Sequence, residues 1–232
     1  MPYYRNFLLT LGANTDAPDV ITTDSVDLQI WYDFSDTTTV NLTGGNVISV
    51  DGKGYASVHD ANTSGASQRP AYLTASRNGL NTGNFDGTSD FLTVNPFTNF
   101  DDSAAAGITG YTAFYVAKFD STSNQRLTET NATGTSDLGF GINSSGRYEY
   151  HVGGGTVVGD YADTDWHVHC FRFDGTQADG SEVTASIDNY DQSLYESSAV
   201  GDSALTDTSV VYIGSSETPD LFFDGQVGEM IV

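Results

Sequence analysis

The amino-acid sequence predicts an all-β protein built as a two-sheet antiparallel sandwich. Three observations lead there. Apolar and polar residues alternate with period two over several stretches, the pattern of strands buried on one face. Asp-Gly and Asn-Gly pairs punctuate those stretches at short intervals, as hairpins require. Helical periodicity is nearly absent: the one candidate turn, 101–106, runs straight into Gly107.

Residues 1–24 stand apart from the rest. Tyr3, Tyr4, Phe7, Leu8, Leu9 and Leu11 form an apolar cluster, followed by a mostly polar stretch that carries Pro18. The cluster reads as a short N-terminal arm docking on another subunit through Tyr3, Tyr4, Phe7, Leu8 and Leu9. The alternative is a first strand of the same sandwich, or a frayed terminus. From 25 to 232 the chain reads as one sandwich domain. Val26, Leu28, Ile30, Tyr32 and Phe34 alternate with Asp27, Gln29, Trp31 and Asp33. Tyr111, Ala113, Tyr115, Ala117 and Phe119 alternate with Thr112, Phe114, Val116 and Lys118. Further strands are expected at 138–142, 147–152, 166–173, 183–187, 210–213 and 226–232, most of them rich in β-branched or aromatic residues. Turns are expected at the Asp-Gly pairs 51–52, 86–87, 174–175, 179–180 and 224–225, at Asn78-Gly79 and at 143–146. No fixed internal period occurs, which argues against a solenoid or propeller.

Composition narrows the function. A chain of 232 residues buries enough surface to stand without staples, and its lone cysteine, Cys170, can close no internal disulfide. Cys170 is expected to pack as a small hydrophobe. Eight Lys and Arg stand against 31 Asp and Glu, a net charge of −23. Such a surface repels phosphate backbones and anionic lipid headgroups, so neither nucleic acid nor membrane is an expected partner. With 12% aromatic and 38% hydrophobic residues, the chain is too apolar for disorder. The Phe7-Leu8-Leu9 stretch is too short to span a bilayer and weak as a secretion signal, so synthesis in a cytoplasm without a signal peptide is expected.

Several segments, in order, resemble the laminin-G-like or concanavalin A-like jelly roll. Trp31-Tyr32-Asp33-Phe34-Ser35-Asp36 is similar to the family's opening Trp-x-Asp-x-Ser-Asp element. Phe85-Asp86-Gly87-Thr88-Ser89-Asp90-Phe91-Leu92 matches its Phe-Asp-Gly-x-x-Asp-aromatic-Leu turn and is the most specific piece. Trp166-His167 and Arg172-Phe173-Asp174-Gly175 resemble its Trp-His strand and following turn, and 223–232 its closing strand. The resemblance covers about residues 26–232 and implies a jelly roll whose first and last strands pair, hiding two edges. Two departures are the absence of Asn-Gly after Ile187 and a chain that stops at Val232.

The candidate chemistry is sparse. Glycosidases resembling this fold carry acids two apart on one strand, as Glu-x-Asp-x-x-Glu. None of the six glutamates, Glu129, Glu149, Glu182, Glu196, Glu217 and Glu229, has a carboxylate at i+2, so a non-enzyme is expected. The triple glycine 153–155 lacks the following Lys-Ser or Lys-Thr of a phosphate loop and reads as a turn. His167 and His169 share a strand face; with His151 from a neighbour they would suit zinc, and without it they are packed strand histidines. No cofactor is required; calcium is the candidate ion, with Asp86 and Asp90 as its ligands, although both also suit capping of the Asp-Gly turn. Sugar recognition would use tyrosines at the rim: Tyr148, Tyr150 and Tyr190 first, with Tyr55, Tyr161 and Tyr195 as further platforms.

These features point to a non-enzymatic virion structural protein of a bacteriophage, decorating the capsid or forming part of a tail or fibre. The resemblance supports this, since stand-alone domains of this kind recur among phage structural proteins. Expected partners are other virion proteins, a second copy of the chain, or a host surface glycan. The alternative is a carbohydrate-binding module or adhesin.

Overall fold

The computed structural model describes residues 28–54, 59–95, 110–131, 138–201 and 210–232. The arm read from 1–24, Tyr55 and the helical turn at 101–106 lie outside the described residues. Within them are eighteen β-strands, antiparallel in every pairing, and one 3-10 turn at Ala66–Gln68. No helix among them is long and apolar enough to cross a membrane.

The strands form two layers. The back layer runs β5 (Ala71–Arg77), β6 (Leu80–Asp86), β18 (Asp224–Ile231), β8 (Gly110–Phe119), β13 (Trp166–Asp174), β14 (Val183–Ile187) and β15 (Tyr190–Asp191). The front layer runs β4 (Ala61–Asn62), β7 (Leu92–Val94), β17 (Val210–Ile213), β9 (Gln125–Asn131), β10 (Gly139–Ile142), β11 (Arg147–Val152), β12 (Gly155–Tyr161) and β16 (Tyr195–Ser198). The hairpin of β2 (Val40–Thr43) and β3 (Asn46–Val50) joins the layers, because β3 pairs with both β4 and β5. The first described strand, β1 (Trp31–Asp33), pairs with β18 from Trp31 opposite Ile231 to Asp33 opposite Glu229. This is a jelly-roll-like β-sandwich.

Alternation explains the layers. Along β8, Tyr111, Ala113, Tyr115, Ala117 and Phe119 are buried while the residues between them are half-buried. Along β11, Tyr148, Tyr150 and Val152 are buried while Arg147, Glu149 and His151 face the other way. The inward sets of both layers meet in an aromatic seam. Phe140 of β10 stacks on Tyr115 of β8 at 5.0 Å and on Tyr150 at 5.4 Å, and meets Phe119 edge-on at 5.8 Å. Tyr150 reaches Phe171 of β13 at 5.3 Å.

The turns follow their residues. Asp86 accepts from the N–H groups of Thr88, Ser89 and Asp90, and Gly87 takes the positive φ of +69° that this turn needs. Asn143 accepts from the N–H groups of Ser145 and Arg147 and closes the β10–β11 hairpin. One expected turn is corrected: Asp224-Gly225 lies inside β18, where Asp224 pairs with Asp86 and Gly225 with Phe119. A strand register that satisfies backbone groups on both sides overrides the local turn preference of an Asp-Gly pair.

Phe140 touches rings from both layers, so Phe140→Ala should leave a cavity that neither sheet can close. Urea denaturation is expected to show a loss of about 3–5 kcal/mol. An unchanged midpoint would mean that the seam does not hold the layers together.

Candidate functional site

The outward face of the front layer carries a polar row set by register. On β11, Glu149 lies opposite Gly141 of β10, and Gly141 lies opposite Arg126 of β9. A Cβ at Gly141 would sit 2.1 Å from the carbonyl oxygen of Gln125 and 3.0 Å from Cα of Arg126, so only glycine fits this close approach. Across it, Arg126 Nη2 donates to Glu149 Oε2 at 2.7 Å, while its Nε stands 3.7 Å from Glu129 Oε1. Arg126 Nη1 donates to the Ile142 carbonyl at 3.3 Å. Glu149 Oε2 also lies 3.1 Å from His151 Nε2. Burial alone would raise the Glu149 pKa, but His151 and Arg126 outweigh it and hold the carboxyl below its ordinary value. The absence of an i+2 partner therefore missed a real convergence: Glu129 and Glu149 meet on one guanidinium from two different strands. Only the three-strand register reveals it.

The same face continues to the sheet edge. Glu149 lies opposite Val158 of β12, and Val158 opposite Tyr195 of β16. A bulge then brings Tyr161 opposite Arg147, whose guanidinium sits 3.9 Å from the Tyr161 ring centre. Arg147 Nη1 donates to the Gly159 carbonyl at 2.9 Å. The buried Val158 thus faces Tyr195 across the β12–β16 pair, and Tyr161 follows three residues further along β12. Asp160 ties the 190–195 segment alongside, its N–H donating to Gln192 Oε1 at 3.2 Å and its Oδ2 accepting from the Ser193 N–H at 3.4 Å. Tyr190, on the back-layer edge strand β15, opens that segment. Tyr161, Tyr190 and Tyr195 are 68%, 78% and 52% exposed, and with Leu42 they are the exposed large hydrophobic side chains among the described residues.

This geometry redistributes the expected sugar platforms. Tyr190 is exposed, as expected. Tyr148 and Tyr150, only 2% and 1% exposed, are corrected: both point into the seam and offer no free ring face. The polar positions Arg147, Glu149 and His151, alternating with them, are the signal that places these tyrosines inside. Tyr161 and Tyr195 take their place on the surface.

The other candidates are structural in geometry. Asp86 spends its carboxylate on the turn N–H groups and on the Thr88 and Ser89 hydroxyls. Burial raises its pKa, but those donors outweigh it and hold the carboxyl well below the usual range. Asp90 Oδ2 accepts from the Asp86 N–H at 3.1 Å, and burial plus the Asp86 charge push its pKa up to about 6. Among the described residues, no three His, Cys, Asp or Glu side chains are placed to hold a metal ion. The zinc triad does not assemble: His151 faces outward from the front layer, while His169 points into the seam from the back layer. Cys170 packs partly buried on β13, and burial pushes its thiol up to about 11.

His167 and His169 have opposite surroundings. His167 has Asp188 Oδ2 2.7 Å from Nδ1 and Asp163 Oδ1 2.8 Å from Nε2. Burial lowers its pKa, but Asp188 and Asp163 outweigh it and raise the pKa overall. His169 is buried against Phe140 at 4.9 Å and Tyr148 at 5.0 Å, and neither ring nitrogen has a hydrogen-bond partner among the described residues. Burial, then the nearby His167, pushes its pKa down to about 3.

No protein-family model matches the chain, and no curated protein matches it in sequence. Similar folds are found among solved structures. A Trypanosoma rangeli sialidase in complex with the inhibitor DANA aligns over 88% of this chain and 30% of its own, with 13% identity and a TM-score of 0.55. The binding domain of botulinum neurotoxin serotype D aligns over 88% of this chain and 47% of its own, with 12% identity and a TM-score of 0.50. The CBM2 module of the evolved Dit of Lactobacillus casei BL23 phage J-1 aligns over 88% of this chain and 94% of its own, with 13% identity and a TM-score of 0.40. The chain thus spans under half of the sialidase and neurotoxin chains. At these identities the likeness to the sialidase and to the neurotoxin domain is one of β-sandwich fold.

The histidine pair makes stability depend on pH in opposing directions. His169 has a folded pKa of about 3, below its unfolded value, so its contribution is complete above pH 6.5 and lost as pH falls toward 3. His167 has a raised folded pKa, so its contribution is complete below the unfolded value and lost as pH rises through the folded one. His169→Leu should therefore reduce the loss of stability between about pH 7 and about pH 4 by roughly 3 kcal/mol, read from urea midpoints. An unchanged loss would mean that His169 is solvated or paired.

Proposed function

We propose that this chain is a non-enzymatic carbohydrate-binding β-sandwich of a bacteriophage particle, with the outer face of β11, β12 and β16 as its sugar site. The observation that carries the sugar reading is the exposure of Tyr161 on β12 and of Tyr195 on the neighbouring edge strand β16, on the face that carries Arg147 and Glu149 and beside Asp160. Exposed rings cover the apolar face of a pyranose, and flanking polar groups take its hydroxyls. The non-enzymatic reading draws support from Arg126. It binds Glu149 and stands beside Glu129, and an ionised Glu149 held below its ordinary pKa cannot serve as a general acid at neutral pH.

The virion setting draws its support from the sequence. The jelly-roll resemblance, the charge of −23 and the apolar cluster at 3–9 suit a particle component held by protein contacts with an acidic outer surface. In this reading calcium at Asp86 and Asp90 is dispensable, because both carboxylates already serve the turn.

A glycan array probed with the full chain tests the site. Reproducible binding is expected, with Tyr161→Ala and Tyr195→Ala each abolishing most of it and leaving the thermal midpoint unchanged. A blank array, or binding indifferent to both substitutions, would remove the sugar reading. Mass spectrometry of purified particles tests the setting, and absence of the chain from them would remove the virion reading.

A further inference from the structure

We infer that the glycan taken by this face is electrically neutral, an uncharged hydroxyl-rich chain and not a sialylated, uronic or sulfated one; the inference rests on the reading of this face as a sugar site.

Recognition of an acidic sugar needs a cation able to turn to it. The described residues supply two guanidinium groups on this face, and both are engaged. Arg126 binds Glu149, stands beside Glu129 and donates to the Ile142 carbonyl. Arg147 places its guanidinium carbon over the Tyr161 ring, 3.9 Å from its centre, and donates from Nη1 to the Gly159 carbonyl. An acidic sugar would have to displace one of these contacts.

The surroundings also oppose an anion. Asp160 adjoins Tyr161, and Glu149 stands one strand further in. At physiological salt the screening length of about 8 Å leaves the nearest of these charges effective against a bound anion. Neutral hydroxyls meet the same groups as acceptors. Glu149 Oε1 and Asp160 Oδ1 receive no hydrogen bond from the described residues, and hydroxyl donors to carboxylates form strong charge-assisted bonds. One arrangement therefore rejects acidic sugars and accepts uncharged ones.

The test uses the full chain on an array that displays neutral and acidic glycans at matched density, followed by calorimetry of the best binder. Neutral glycans are expected to dominate, with affinity changing less than about twofold between about 50 mM and about 500 mM NaCl. Tyr161→Ala and Tyr195→Ala should each weaken that binder by about tenfold. Preference for acidic glycans, with affinity falling steeply in salt, would overturn neutrality and leave the sugar site standing. Absence of binding to any glycan would overturn the site and neutrality together.

Discussion

The aromatic seam between the layers is the contact on which the rest of the structure depends. Phe140 meets Tyr115, Phe119, Tyr148, Tyr150 and His169, so one side chain of β10 is in ring contact with β8, β11 and β13. Large rings bring much apolar area into few positions, and offset or edge-on pairs add to it. Because side chains alternate, committing Tyr148 and Tyr150 to this seam sends Arg147, Glu149 and His151 outward. The candidate site is thus a consequence of core packing: a one-residue slip in β11 would exchange the two sets.

The outer row makes a second demand, because it buries charge. Arg126, Glu129 and Glu149 are mostly withdrawn from water, and desolvation of such a group is costly unless every charge finds its partner. Gly141 allows that pairing by leaving β10 without a side chain between β9 and β11. The result is a rigid charged interior to the face and a ring-lined edge beyond it. His169 is the discordant element: an unpaired imidazole in an aromatic box, adjacent in its sheet to a histidine held between two aspartates. Burial disfavours its protonated form, so the fold is weakened wherever the unfolded chain would take up the proton.

Most of the framework was legible in the sequence. The strands expected at 147–152, 183–187 and 210–213 coincide with β11, β14 and β17, and the long alternating stretch 111–119 lies in β8. Local pattern carries such information, since one buried face writes itself into period two. β12 was missed because its glycines and its bulge break the alternation. The Asp224-Gly225 pair misled because turn preference is local and strand pairing is not. The site was legible only in part. Tyr161 and Tyr195 were visible as tyrosines, but their placement on neighbouring strands depends on β12–β16 pairing. The meeting of Glu129 and Glu149 depends on residues distant in sequence and on a glycine between them.

The central claim is that alternation divides the tyrosines into a sealed inner set and an accessible edge set. Tyrosine nitration of the native protein, read peptide by peptide in a mass spectrometer, measures that division directly. The account predicts rapid modification of Tyr161, Tyr190 and Tyr195, and none of Tyr32, Tyr115, Tyr148 or Tyr150 until the fold is denatured. Modification of Tyr148 or Tyr150 in the native protein at the rate of Tyr190 would contradict it.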